Sequence, residues 1–145
     1  PGRKGAGHAW AYLPDFGEAV ARLVEKDADF AAFESFHFGG HWFADGREMA
    51  ERIRAVAGVP DAPIRRFPWG LMLALSPLVR LFREMAEMKY LWDVPVQLDN
   101  MKLVTVLGEE PHTPADLAIA TTLQGLGCLE TGTMPHAGSG EMVRV

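Results

Sequence analysis

The 145-residue chain reads as an α+β protein, mostly helical, with two or three short strands. Three features lead to that reading. Apolar residues recur at helical spacing in several stretches that open on Pro or Asp and close on Gly. Segments of strand character are short and few. Two such strands make no sheet that stands alone, so they read as additions to a larger sheet or as a small layer under helices. On that ground the chain itself reads as incomplete.

The elements follow in order. Residues 1 to 7, Pro-Gly-Arg-Lys-Gly-Ala-Gly, form a lead-in loop. His8 to Leu13 is aromatic and roughly alternating, so it is expected to be extended. A helix starts at Pro14, where proline's fixed φ suits the first turn. Phe16, Ala19, Val20, Leu23 and Val24 give it one apolar stripe. Phe33 to Phe38 reads as a strand ended by Gly39-Gly40. Asp45 opens the next helix, with Glu48 completing a capping box and Gly58 supplying the stop. Ile64 to Phe67 is a candidate third strand. From Pro68 the chain is helical in two pieces, with Ser76 and Pro77 starting the second. Asp99 to Gly108 is a short capped helix, and Thr113-Pro114-Ala115-Asp116 opens the last, which stops near Gly125 or Gly127. Residues 8 to 129 are therefore expected to form one helical domain. Residues 130 to 145, rich in Gly, Ser and Thr, are expected to be a disordered tail.

Composition excludes several function classes. At 48% hydrophobic and 23% charged residues, the chain is ordinary for a globular protein. A net charge of −5 leaves no basic footprint for nucleic acid. The single Cys128 allows no disulfide within the chain, which fits a reducing compartment. No apolar leader core follows the basic opening residues, so the expected location is cytoplasmic. The apolar run Trp69 to Phe82 falls short of the roughly 18 residues that span a bilayer. Pro77 and Arg80 interrupt it as well, so it reads as buried helix rather than a membrane segment.

Each chemical motif has a plainer reading beside it. Gly2, Gly5 and Gly7 spell G-x-x-G-x-G, but a dinucleotide loop needs a strand before it and a helix after it. A flexible loop is the better reading. His37 and His41 have H-x-x-x-H spacing, yet Gly39-Gly40 separates them and no Cys is near, so ordinary strand-end histidines are preferred to a metal pair. Cys128 lacks a base partner in the sequence and reads as a packing or exposed thiol. His8, Trp10 and Tyr12 alternate, so all three project from one face of an extended segment. Aromatics with polar tips suit a pocket wall as well as a core. Met85, Met88, Tyr90 and Trp92 form a second bulky cluster, for which core is the preferred reading.

Two stretches carry a resemblance. His8-Ala-Trp-Ala-Tyr-Leu-Pro-Asp15, running into an amphipathic helix, resembles the segment where extended short-chain dehydrogenase/reductases return to their Rossmann domain. Leu98-Asp-Asn-Met-Lys-Leu-Val-Thr-Val-Leu-Gly108, followed by Glu-Glu-Pro-His-Thr-Pro, resembles the C-terminal end of NAD-dependent epimerase/dehydratase-like proteins. The likeness spans residues 8 to 129 and rests on the order of its motifs. It implies the C-terminal, substrate-side part of a Rossmann-type α/β protein lacking the dinucleotide-binding core.

The resemblance also implies what the chain does without. Family members transfer protons through Tyr-x-x-x-Lys alongside hydride transfer. Here Phe16 stands four residues after Tyr12, and Val94 four after Tyr90, so no catalytic residue carries over. No cofactor is expected on this chain alone, with NAD or NADP belonging to the full-length protein. His8, Trp10 and Tyr12 match positions at the mouth of the family's substrate cleft and are the first candidates for substrate contact. Met85, Tyr90 and Trp92 are the second. Asp15 matches a helix-opening acid, a structural role that offsets the helix dipole. The expected partners are a small-molecule substrate and the Rossmann domain of the same protein, or a second copy through an exposed face. The alternative is a stand-alone small-molecule-binding or protein-interaction module.

Overall fold

The computed structural model describes residues 5–65 and 68–130. Within them the chain is mostly helical, with one two-stranded antiparallel sheet. Strand β1 (His8–Trp10) leads into α1 (Leu13–Glu25) and a single 3-10 turn at Asp27–Asp29. Strand β2 (His41–Phe43) precedes α2 (Glu48–Val56), then α3 (Trp69–Leu75), α4 (Arg80–Glu87) and α5 (Tyr90–Asp93). Helices α6 (Met101–Leu107) and α7 (Ala115–Gly125) complete the described fold.

The ribbon β1–β2 pairs His8 with Phe43, Ala9 with Trp42 and Trp10 with His41. Directly opposed residues share a face, so His8, Trp10, His41 and Phe43 line one side. Helix α2 packs on α7, α1 on α6, and α3 on α4. Buried apolar residues from separate elements knit these together: Ala19 of α1, Phe43 of β2, Met72 of α3, Leu103 of α6, and Ala118, Ile119 and Ala120 of α7.

The strand expected at Phe33–Phe38 is not formed. That segment is irregular, and the second strand lies beyond the two glycines, at His41–Phe43. The Gly39 and Gly40 N–H groups explain the shift. Both donate to the Glu110 carboxylate, at 2.8 Å each, instead of to a neighbouring strand. Phe36 and Phe38 still pack, Phe36 on Phe30 (5.3 Å) and Phe38 edge-on to Phe16 (5.6 Å). Ile64 and Arg65 of the candidate third strand are also irregular, and residues 66 and 67 lie outside the described set. So do residues 1–4 of the lead-in loop and residues 131–145 of the expected tail.

Helix α7 starts at Ala115, within the expected signature, whereas α2 and α4 start three and four residues beyond Asp45 and Ser76. The Asp45 carboxylate accepts the Arg47 N–H (2.8 Å) in the turn just before α2 and also holds the Gly5 N–H (2.9 Å). Helix α2 begins at Glu48, whose N–H goes to the Asp45 carbonyl. Ser76 turns its hydroxyl back onto the Leu73 carbonyl (2.8 Å), and α4 starts only at Arg80. Thr113 leaves the head of α7 for Asp15. The stop at Gly58 holds, with φ at +68°, a conformation that suits glycine.

Candidate small-molecule site

A cavity of about 280 Å³ opens between the ribbon and the α2–α7 pair. The ribbon side supplies Trp10, Ala11, Tyr12, His41 and Phe43. Met49 and Ile53 come from α2, Ala115, Ala118, Ile119, Thr122 and Leu123 from α7, and Leu126 from just past its end. The lining is apolar with a few polar tips, the usual character of a site for a small organic ligand.

With Tyr12 and Thr122, His41 is one of the polar groups of the lining. The residue is 8% exposed, and no hydrogen bond among the described residues engages its ring nitrogens. Its ring stacks on Phe43 at 6.5 Å and lies 4.2 Å from the His112 ring. Burial, and then the neighbouring His112, hold the His41 pKa below the usual histidine value. Arg52 pushes the same way, while Asp15 and Glu110 pull against it. At neutral pH the ring is therefore uncharged, with one donor and one acceptor nitrogen.

Two carboxylates build the frame behind this wall. Asp15, at the head of α1, accepts the Thr113 N–H (2.7 Å) and the Thr113 hydroxyl (2.6 Å). Glu110 accepts Gly39 and Gly40 N–H and the Asn100 side-chain amide (2.8 Å). Arg52 sits over the Phe43 ring at 5.1 Å and pairs with Glu48 and Asp116, both at 3.3 Å, bridging α2 to α7.

The first group of expected contact residues divides. Trp10 and Tyr12 line the cavity, while His8 does not. His8 is buried against the Trp92 ring, edge-on at 5.6 Å, with no hydrogen-bond partner for its Nε2 among the described residues. Trp92 also touches Trp10, at 6.4 Å, and so backs the wall. Met85 and Tyr90 are not part of the lining, and Tyr90 is exposed. Sequence reading passed over His41, Phe43 and the α2 and α7 residues. The alternation His-Trp-Phe after Gly39-Gly40 was the available signal, since it puts His41 and Phe43 on one face.

Other motifs resolve simply. His37 is exposed while His41 is buried, and among the described residues no cluster of three His, Cys, Asp or Glu could hold a metal. Cys128 is exposed. Gly5 and Gly7 lead into β1 rather than into a helix, so they present no helix N-terminus to a pyrophosphate. Gly2, the first glycine of the motif, lies outside the described residues. Trp69 to Phe82 divides between α3 and α4 and is not the buried helix expected, since Leu71, Leu73, Leu78 and Leu81 are exposed and only Met72 is buried; no described helix is long and apolar enough to cross a membrane. Compared with known proteins, the chain matches no family model, no curated protein and no solved structure.

Proposed function

We propose that this chain is the substrate-side unit of an NAD(P)-dependent oxidoreductase or epimerase-like protein of the extended short-chain dehydrogenase/reductase type. In this reading the cavity holds the small-molecule substrate. The cofactor and the acid/base pair belong to a Rossmann domain of the same protein, and the chain is not catalytic by itself. One observation carries the proposal. The two segments that bear the resemblance are far apart in sequence, yet Asp15 of the first clasps Thr113 of the second beside the cavity. A face of α1 lends further support. Leu13 (76% exposed), Phe16, Val20 and Val24 (68%) lie bare along it, a surface suited to packing against another domain.

The test is the intact mass of the protein made from its own gene in its own cell. The proposal expects a mass above this chain's 15.9 kDa by roughly the 150 residues of a dinucleotide-binding domain. The longer protein should oxidise NADH or NADPH, and Tyr12→Ala should raise KM for the organic substrate while leaving cofactor affinity unchanged. A mass equal to the chain's would replace this reading with a stand-alone binding module.

A further inference from the structure

Resting on the reading of the cavity as a substrate site, the geometry points to its ligand class: a compact, uncharged, largely apolar molecule bearing a hydroxyl that hydrogen-bonds to His41. Size comes first. A cavity near 280 Å³ lies at the small end of ligand pockets, so it suits one ring or a short branched chain rather than a nucleotide sugar. The walls offer the Trp10 and Phe43 rings on one side and Met49, Ile53 and Ile119 on the other, which favours an apolar body.

Charge decides next. The ionisable groups whose charges act on His41 are Asp15, Glu110, Arg52 and His112, close to the cavity though not in its lining. The two carboxylates would repel an anion, and the Arg52 guanidinium already pairs with Glu48 and Asp116. A ligand cation would find both carboxylates engaged, Asp15 by Thr113 and Glu110 by Gly39, Gly40 and Asn100. An uncharged ligand meets neither difficulty.

The polar anchor then follows from imidazole chemistry. An uncharged His41, whose ring nitrogens have no hydrogen bond among the described residues, can present either a donor or an acceptor to the cavity it lines, depending on tautomer. A hydroxyl satisfies both cases because it donates and accepts. Leaving the nitrogen opposite a hydrocarbon forfeits that bond, and this difference makes the site selective.

Three matched probes test the inference: para-ethylphenol, ethylbenzene and para-ethylbenzoate. Each is titrated into the isotope-labelled chain near neutral pH, with binding read from chemical shifts of Trp10, His41 and Ile119. The expected order is phenol tightest, hydrocarbon about three- to tenfold weaker, and carboxylate weakest. His41→Phe should bind ethylbenzene normally, which also shows that it folds, and should lose the preference for the phenol. His41→Gln, with its own donor and acceptor, should keep part of it. Equal binding of phenol and hydrocarbon would overturn the inference, as would tightest binding of the carboxylate. So would an absence of shifts at these residues at millimolar probe. A longer protein without NAD(P)-dependent activity would sink the oxidoreductase reading yet leave this binding order untouched.

Discussion

Both oxygens of the Asp15 carboxylate are engaged by Thr113, one by the amide and one by the hydroxyl, in a site where Asp15 is buried. Asp15→Ala removes both acceptors and leaves the Thr113 N–H and hydroxyl without them, so it should cost about 1–3 kcal/mol. Thr113→Val removes only the hydroxyl bond and should cost less, about 1 kcal/mol. Urea midpoints at constant m-value would give the ranking, and a Thr113 effect exceeding that of Asp15 would refute it. His41 supplies a pH dependence. Its folded pKa lies below the unfolded value near 6.5, so below that pH the unfolded chain binds a proton the folded chain resists. Stability should be full above the unfolded pKa and fall as pH drops through it toward the depressed folded value. His41→Phe should flatten that part of the stability profile, and an unchanged profile would count against the burial argument. The Asp15 contact was half legible in the sequence: an acid at a helix start is visible, a partner 98 residues away is not.

At the level of elements, the Gly39-Gly40 turn decides where β2 begins. Gly40 has φ at +64°, and a Cβ there would sit 2.6 Å from the Trp10 carbonyl oxygen. Gly58 has a similar φ of +68° with open space around it. Alanine at Gly58 should therefore cost about 1 kcal/mol from backbone strain alone. Alanine at Gly40 should cost clearly more, because the ribbon itself must shift. Thermal denaturation of both variants checks the ranking, and equal losses would contradict it. Helix periodicity made helix α1 and the stop of α2 readable in advance, but of the apolar stripe expected to be buried only Ala19 is, while Phe16, Val20 and Val24 stay exposed. The register of the strands was not readable, because Phe33–Phe38 has better strand character than His41–Phe43 does. What overrules that preference is tertiary: Glu110 claims the turn's amides from a distant loop.

For the whole molecule, the same two carboxylates tie the first forty residues to the stretch around residues 110 to 113. The amides of Gly39, Gly40 and Thr113 lie outside helices and strands, where exchange with solvent is usually fast. Here they are expected to exchange only with global unfolding, at the same free energy as the α7 core around Ile119. Native-state hydrogen exchange would show it, and fast independent exchange of Thr113 would mean the clasp opens by itself. The cavity was legible only on its ribbon side. Trp10 and Tyr12 announce themselves as aromatics on an alternating segment, whereas Met49, Ile53 and Ile119 look like any core residues until α2 meets α7.

The distance between Asp15 and Thr113 also orders events during synthesis. At about 5–20 residues per second, roughly 5–20 s separate translation of the two residues. Throughout that interval the carboxylate lacks its native donors, and for most of it α1 lacks its packing partner α6. A newly made chain is thus expected to expose its first helix to chaperones until α6 follows. Slow codons placed before α6 would lengthen that exposure, whereas the same codons after α7 would not.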